Sequence, residues 1–312
     1  MMKKGIIGAT VIVALLFIQG ANAIPWGKIN ATPNMTAVYV ERYGQGQVTL
    51  DVQYVPYYFG YLPAYVEVSV VGAPSWLTVA PNPSTFVVKP GESFNVKVAM
   101  QVSQHDIVAG TSATVELLLQ ARLVSGGALR QIDGAKVPII VSYNPFTEIT
   151  LRAVKPIMRT SPDKELPFTV DVVNYGNSPI IVELTLEEEP QGWKVNINPP
   201  NLKIEPKKPG DETYPYETVT ITLTSPHGPV ISYHNDWEDF SIRATARSEA
   251  PYWVKQGGTW TTATQDITLK NIYSVPASFL AKNRGFYIPG FDAIFMVAGL
   301  AVAALLFKRR KK

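Results

Sequence analysis

Apolar and polar residues alternate one by one over most of residues 24–275. The clearest run is residues 94–101, where Phe, Val, Val and Met alternate with Asn, Lys, Ala and Gln. Because successive side chains of a β-strand point to opposite faces, such a run has one apolar face for a core and one polar face for water. Similar runs occur at residues 48–52, 66–70, 115–119, 137–141, 149–151, 168–172, 180–186, 219–223 and 240–244. The pattern predicts an all-β fold.

Turn-forming residues separate the alternating runs. Pro81-Asn82-Pro83, Pro90-Gly91 and Pro209-Gly210 are examples, and proline and glycine at such positions end strands. Many short strands with frequent turns are typical of β-sandwiches rather than of a single barrel. Residues 24–275 are numerous enough for two domains of ordinary size.

An internal repeat divides the chain into two halves. Trp76 lies 14 residues before Pro90, and Trp193 lies 13 residues before Pro206, with a strongly alternating strand after each unit. The boundary falls near the turn-prone Asn144-Pro145 dipeptide. We therefore predict one sandwich domain at 24–145, a second at 146–275 and a juxtamembrane linker at 276–287. The equivalent positions of the two tryptophans predict that both are core residues.

This order of proline, tryptophan, short strand and proline turn resembles the Ig-like domains of archaeal surface proteins. It is also similar to the NPCBM-associated sandwich family, whose "N-x-G" turn matches residues 174–177, Asn-Tyr-Gly-Asn. The resemblance covers most of the second domain, and residues 66–102 of the first. It implies two tandem Ig-like β-sandwich domains in which the tryptophan packs between the sheets.

The N-terminus has the residue order of a secretory signal peptide. Lys3 and Lys4 precede an uncharged stretch at residues 5–18, and Ala21 and Ala23 are the small residues of an A-x-A cleavage site. We predict a signal peptide at 1–23 and a mature chain that begins at Ile24. The alternative is a buried N-terminal helix or a retained anchor, which the short apolar run disfavours.

The C-terminal segment has the length and composition of a membrane span. Residues 288–307 are apolar except for Asp292, and residues 308–312 are five consecutive Lys or Arg residues. Twenty helical residues reach about 30 Å, one hydrocarbon thickness. Cations beside a span stay on the cytoplasmic side. We predict a transmembrane helix at 288–307, a cytoplasmic basic tail at 308–312, and the rest of the mature chain at the extracellular face of the cell membrane.

The start of this segment resembles the PGF-CTERM sorting signal of archaea. Pro289, Gly290 and Phe291 precede the apolar stretch and the basic tail in that family's order. The resemblance implies that an archaeosortase recognises the three residues, removes the helix and leaves a prenyl-derived lipid in its place. Family members often carry a Thr-rich or acidic spacer before the triad, and this chain does not. The alternative is a plain single-pass anchor whose proline and glycine end the helix at the interface.

Composition and motifs indicate no catalytic chemistry. The chain has no cysteine and only three histidines, and it contains no G-x-S-x-G, phosphate-binding glycine loop or H-E-x-x-H motif. Its net charge of +3 owes much to the leader and the basic tail, which argues against nucleic acid as a partner. We predict no catalytic residue, no cofactor and no metal site.

Three polar or aromatic groups remain as candidate sites. Residues 234–239 could offer oxygen ligands to calcium, but their spacing fits no known calcium loop, which favours a solvated loop before a strand at Phe240. Asn30 and Asn34 begin two N-x-[ST] triplets, possible N-glycosylation sites in an exposed leader before the first strand. Aromatic residues form a third group: Tyr54, Tyr57, Tyr58, Phe59, Tyr61 and Tyr65. Exposed tyrosines suit contact with glycans or proteins. The favoured alternative is that half of these side chains face the core and the rest cover a loop.

These observations leave two hypotheses of function. The first is a non-catalytic, membrane-anchored cell-surface protein, associated with the envelope or S-layer, with a structural, adhesive or assembly role and with other envelope proteins or glycans as partners. The alternative is a surface hydrolase or a solute- or glycan-binding accessory protein with a site in the sandwich loops. Fold class alone does not decide between them.

Overall fold

The computed structural model describes residues 25–57, 61–104, 106–124, 131–228, 231–263, 271–287, 297–300 and 302. In this part of the chain the regular structure is almost entirely β-strand, and residues 297–300 and 302 are helical. The all-β prediction is confirmed. No helix among the described residues is both long and apolar enough to cross a bilayer.

The strands follow the alternating runs of the sequence. In chain order they are β1 (Gly27–Pro33), β2 (Ala37–Val40), β3 (Gly46–Pro56), β4 (Ala64–Val71), β5 (Leu77–Asn82), β6 (Thr85–Val88), β7 (Ser93–Val102), β8 (Ser112–Leu123), β9 (Gln131–Tyr143), β10 (Ile149–Ala153), β11 (Ile157–Thr160), β12 (Glu165–Asn174), β13 (Ile180–Glu188), β14 (Lys194–Asn198), β15 (Asn201–Ile204), β16 (Tyr216–Thr224), β17 (Ser232–Ser248), β18 (Trp253–Gln256), β19 (Thr259–Thr262) and β20 (Ile272–Tyr287).

The chain forms two compact units. Unit 1 comprises Met1–Asn144 and Tyr252–Ala263, and unit 2 comprises Pro145–Pro251 and Thr264–Lys312. The β18–β19 hairpin therefore belongs to unit 1, although unit 2 precedes and follows it in the sequence. Alternation within a strand does not predict such a return, because the pattern is the same whichever sheet the strand joins.

Unit 1 is built on one folded sheet. Its strand order is β5-β7-β3-β1-β9-β8-β4-β6, and β2 also pairs with β9. Phe86 of β6 stacks on Phe94 of β7, with ring centroids 4.3 Å apart. Because β6 and β7 lie near opposite ends of the strand order, this contact means that the sheet folds over and its two halves face each other. Apolar residues of β3, β7 and β8 fill the interior: Val48, Leu50, Val52, Val96, Val98, Met100, Val115, Leu117 and Leu119.

Unit 2 is a sandwich of two sheets. One has the order β10-β12-β16-β14 and the other the order β11-β20-β17-β13-β15. Phe168 of the first sheet meets Phe240 and Phe279 of the second edge to face, with both centroid distances at 5.3 Å. Buried side chains of both sheets form a single hydrophobic cluster with these three rings. Edge-to-face packing of this kind adds to the stabilisation from apolar burial.

The two tryptophans of the internal repeat are core residues, as predicted. Trp76 and Trp193 are 7% and 4% exposed, and they immediately precede β5 and β14. In each unit the following strand ends at a cis Asn-Pro bond, and another short strand begins after it. The same local order thus places an indole ring in the interior of both units.

The Asn-Tyr-Gly-Asn turn of unit 2 is held by a buried asparagine. The Asn174 side-chain amide donates to the carbonyl oxygens of Ser178, Ile204 and Glu205 at 3.1 to 3.3 Å. Its Oδ1 accepts from the Gly176 N–H at 2.8 Å. A Cβ atom on Gly176 would lie 2.6 Å from the Phe146 carbonyl oxygen, so the close approach of the backbone requires glycine.

Residues 276–287, predicted as a linker, are the second half of β20. They pair with β17 as far as Tyr287, and Phe279 and Ala281 are buried. The linker prediction is wrong because the core side of this strand carries small and polar residues, Ala277, Ala281 and Asn283, which weaken the apolar alternation. Pairing along the whole length of β17 supplies the backbone hydrogen bonds of the strand.

Candidate functional site

The predicted processing sites lie outside the described residues. They are Ala21 and Ala23 of the signal-peptide cleavage site, and Pro289, Gly290 and Phe291 of the sorting signal. Cleavage of the signal peptide and recognition of the sorting signal therefore stay predictions.

The two candidate glycosylation asparagines differ in their surroundings. Asn30 is exposed inside β1, where it pairs with Gln53, so the expected leader before the first strand is wrong for this triplet. Asn34 follows β1, and its Oδ1 accepts the Thr49 N–H at 2.9 Å. The Asn34 side chain is thus tied to β3, whereas Asn30 extends from the outer side of a strand.

The polar cluster at residues 234–239 lies within β17 and is not a loop. Successive side chains of a strand point to opposite sides, so Asp236 and Asp239 do not converge on one point. His234 contacts Asp236 across 3.8 Å and Ser232 across 3.0 Å. Among the residues that the structure describes, no group of three or more His, Cys, Asp or Glu side chains could hold a metal ion.

The aromatic cluster of residues 54–65 is divided between core and surface. Tyr54 is 1% exposed, and burial raises the pKa of its phenol. Tyr57 and Tyr61 are exposed, while Tyr65 lies under Arg122, 5.0 Å from the ring centroid. Tyr58 and Phe59 are outside the described residues. This division agrees with the favoured interpretation of core plus loop cover.

A second group of aromatic residues lies on the surface of unit 2. The polar cluster predicted at residues 234–239 includes only its Asn235, Trp237 and Asp239. The group lies on the outer side of unit 2, where β17, β20 and β11 are neighbours. Cross-strand partners share a face of a sheet. The pairs on this outer side are Tyr233 with Phe286, Asn235 with Arg284, Trp237 with Lys282, Arg159 with Lys282, Asp239 with Leu280, and Ile157 with Leu280. We call these residues the aromatic–cation face.

Aromatic rings and cations are in direct contact on this face. The Tyr233 and Phe286 rings are 4.8 Å apart at the end of the β17–β20 pair. Lys282 Nζ lies 4.8 Å and the Arg159 guanidinium 5.9 Å from the Trp237 ring centroid. A cation over an aromatic ring is attracted by the ring quadrupole. These contacts hold positive charge close to apolar ring surface.

The apolar part of the aromatic–cation face is unusually open to solvent. Phe286 is 71% exposed, Ile157 60%, Tyr233 54% and Trp237 42%. Single exposed apolar residues are ordinary on protein surfaces, whereas several on one side of a sheet, with cations between them, make a candidate interaction site. The face can offer rings and aliphatic groups to an apolar phase and cations to an anionic one.

Alternation alone could have found half of this face. Tyr233, Asn235 and Trp237 alternate with His234, Asp236 and Glu238, which is a strand pattern with two aromatic residues on one side. The partner residues could not be found in this way, because Phe286 lies 53 positions after Tyr233 and joins it only through the strand pairing.

Comparison with known proteins gives no family for this chain. No protein-family model and no curated protein matches it. A protein of unknown function from Porphyromonas gingivalis has a similar solved structure, with 11% identity, a TM-score of 0.29, and coverage of 83% of this chain and 100% of that one. The S-layer protein SbsC domains 4 and 5 are similar at 12% identity, a TM-score of 0.25, and coverage of 83% and 98%. The Salmonella enterica SafA pilin in complex with the SafB chaperone is similar at 13% identity and a TM-score of 0.26, with coverage of 70% of this chain and 90% of that one. Because these scores are far below 0.5, the fold is established by the strand pairing described above.

Proposed function

We propose that this chain is a non-catalytic, membrane-anchored protein of the cell surface, with a structural, adhesive or assembly role in the envelope. In this proposal a signal peptide at 1–23 exports two tandem Ig-like β-sandwich domains, and the segment at 288–307 holds them at the outer face of the membrane. The basic tail at 308–312 keeps the anchor's orientation.

The observation that carries the proposal is the apolar segment that follows unit 2's last strand. Its described residues 297–300 and 302 are helical, and Val297, Leu300 and Val302 are 65%, 65% and 56% exposed. A helix that shows large aliphatic side chains to its surroundings is stable where those surroundings are apolar. A bilayer supplies such surroundings, and the five cations after the segment fit its cytoplasmic side.

A mechanical rather than chemical role is supported by how buried polar groups are used. Asn174 binds three backbone carbonyl groups, and Asn283 donates to the Pro226 carbonyl oxygen at 3.2 Å. Ser225 donates to the Ser161 carbonyl oxygen at 2.7 Å. Each of these side chains ties segments of backbone together, which stabilises the sandwich.

Processing of the anchor belongs to the same proposal. Pro289, Gly290 and Phe291 would be recognised by an archaeosortase, and lipid would replace the helix. Pro289 and Gly290 disfavour regular helix at that point and would leave the peptide bond accessible to a membrane enzyme. Glycans on Asn30 or Asn34 would be added after export, with Asn30 the better placed of the two.

The test is the intact mass of the protein extracted from native membranes. We expect a chain that lacks residues 292–312 and carries added lipid near Phe291. The double variant P289A/F291A should retain the full C-terminus while export is unchanged. Pro276→Ala, an exposed proline of β20, is the matched control and should be processed like the unchanged chain.

Two results would contradict parts of this proposal. A mass that includes the basic tail without added lipid would reduce the anchor to a plain transmembrane helix. Recovery of the full-length chain in the aqueous fraction, with nothing in the membrane fraction, would overturn the anchorage itself.

A further inference from the structure

We propose that the aromatic–cation face of unit 2 binds the membrane surface, with its rings in the headgroup layer and its cations on anionic headgroups. The inference deepens the proposed function, and it depends on the membrane anchor at 288–307. Its occupant is the lipid surface, and neither a soluble ligand nor a second copy of the chain.

The covalent path from the face to the anchor is very short. Tyr287 is the last residue of β20, and the apolar segment begins with the next residue. Phe286 is thus two residues from the start of the segment, at most about 7 Å of chain. The headgroup layer on each side of the hydrocarbon is about 5–8 Å thick. Phe286 and its neighbour Tyr233 therefore reach the headgroup layer if the segment enters the bilayer at residue 288.

The chemistry of the face fits that layer. Trp and Tyr concentrate at membrane–water interfaces, where their amphipathic rings lie at the level of the headgroups. Anionic headgroups attract Lys and Arg side chains near the surface. Arg159, Lys282 and Arg284 supply three cations on the same side of the sheet as Tyr233, Trp237 and Phe286. Asp239 is the one carboxylate among the paired residues of the face, so positive charge is in excess.

The length of the aromatic–cation face determines the orientation of the sheet relative to the bilayer. Trp237 is four residues from Tyr233 on β17, about 13 Å further along the strand. A strand perpendicular to the membrane would lift Trp237, Lys282 and Arg159 clear of the headgroups. Contact along the whole face therefore requires the outer side of β11, β20 and β17 to lie against the bilayer.

The chain lends itself to a label that reports this contact, because it contains no cysteine. A single Asn235→Cys substitution places a fluorophore between Tyr233 and Trp237, at an exposed position of the face. Asn196→Cys is the matched control, since it replaces an exposed asparagine of β14, on the outer side of the other sheet of unit 2. Both full-length chains are reconstituted in vesicles of phosphatidylcholine and phosphatidylglycerol that carry a nitroxide quencher on the headgroups.

We expect the label at residue 235 to lose most of its fluorescence and the label at residue 196 to keep it. The variants Y233S/F286S and R159E/K282E should restore fluorescence at residue 235. The double variant K28E/K97E, the same charge change at two exposed sites of unit 1, should not. Thermal unfolding of each variant checks that the sandwich is intact.

The outcomes separate the two proposals. A chain that floats with the vesicles but keeps fluorescence at residue 235 overturns the contact and leaves the anchor standing. A chain that does not float with the vesicles overturns both. The third outcome is a change in the fluorescence of the label at residue 235 that occurs in detergent without lipid and grows with protein concentration. It would mean that a second copy of the chain covers the face, and it would also overturn the inference.

Discussion

Trp193 shows what a single side chain contributes to this fold. It is 4% exposed and belongs to the hydrophobic cluster between the two sheets of unit 2. Replacement by alanine removes the ring and leaves a cavity that the sheets cannot close. We expect Trp193→Ala to lower the free energy of unfolding by about 3–5 kcal/mol, measured by denaturant unfolding. Trp237→Ala, the same change at a 42% exposed position, should cost at most about 1 kcal/mol. Equal losses in the two variants would contradict the core role of Trp193.

Ionisation of Tyr143 should lower the stability of unit 1 at alkaline pH. This tyrosine is 1% exposed, and burial raises the pKa of its phenol from 10.0 to about 12, against an opposing effect of the Arg42 charge. The folded state holds this proton more tightly than the unfolded state does. The contribution is complete below the unfolded pKa and is lost as the pH rises from 10 towards 12.

The expected loss over this pH window is about 2–3 kcal/mol. Tyr143→Phe removes the titrating group and should flatten the fall in the free energy of unfolding between pH 10 and about pH 12. Burial also raises the pKa of Tyr252, assisted by its hydrogen bond to Glu41, so part of the slope should remain. An unchanged slope in the variant would mean that Tyr143 ionises as freely in the folded chain as in the unfolded one.

The side-chain nitrogen of Asn174 stabilises unit 2, and an oxygen atom in its place would be repelled by the carbonyl groups around it. Its amide nitrogen faces three carbonyl oxygens. Asn174→Asp keeps the size but turns the donor into a carboxylate oxygen, so we expect a loss of about 3 kcal/mol or more in the free energy of unfolding. Asn30→Asp, an exposed change on β1, should alter it by less than about 0.5 kcal/mol. A tolerated aspartate at position 174 would contradict the described hydrogen-bond pattern.

The β18–β19 hairpin contacts the rest of unit 1 through two tryptophans and one asparagine. Trp260 meets the Tyr39 ring edge on, with ring centroids 5.2 Å apart. Trp253 lies on Tyr39, with ring centroids 4.7 Å apart and an interplanar angle of 11°. The Asn144 side chain donates to the Trp253 carbonyl oxygen at 2.9 Å and accepts its N–H at 3.2 Å. The hairpin is thus attached by both its side chains and its backbone.

We expect Trp253→Ala to weaken unit 1 and not unit 2. Loss of the stack should accelerate hydrogen exchange in β2, which carries Tyr39, because local opening exposes its amides. Exchange in β12 and β16 of unit 2 should not change. Thr261→Ala, an exposed change on β19, is the control and should leave both units alone. Faster exchange in β16 with a protected β2 would contradict the assignment of the hairpin to unit 1.

β17 and β20 show why strands can be predicted only in part from the sequence. Phe240, Ile242, Ala244 and Ala246 form the buried half of β17, and their alternation predicts a strand from residue 240 onward. None of residues 232–239 is buried, so their alternation, with Tyr233 and Trp237 on one side, is a weaker strand signal than that of residues 240–246. Residues 232–239 are a strand because β20 pairs with them, and an extended partner satisfies their backbone hydrogen bonds.

For the molecule as a whole, export should define where the mature chain begins. The small residues Ala21 and Ala23 after the apolar run predict cleavage before Ile24. N-terminal sequencing of protein extracted from the cell surface should read Ile-Pro-Trp. Ala21→Leu with Ala23→Leu should block cleavage and retain the leader, whereas Ala31→Leu in β1 should have no effect on it. A surface protein that still begins with Met1 or Met2 would disprove the signal peptide.

The sequence by itself determined the properties that depend on near neighbours in the chain. Alternation of period two predicts strands and their buried faces, and a proline turn after each tryptophan predicts two equivalent core positions. The N-x-G turn is equally local, since Asn174 and Gly176 contact each other. The order of charged, apolar and small residues at the two ends supports the predicted leader and anchor in the same way.

Only the tertiary structure decided which strands are neighbours. The return of residues 252–263 to unit 1, the extension of β20 to Tyr287, and the meeting of Trp237 with Lys282 and Arg159 all depend on strand pairing. A strand's alternation states which side chains share its face but not which strand lies beside it, and a shift of one residue would turn every side chain to the other face. The aromatic–cation face exists because the register of β17, β20 and β11 brings together residues that are far apart in the chain.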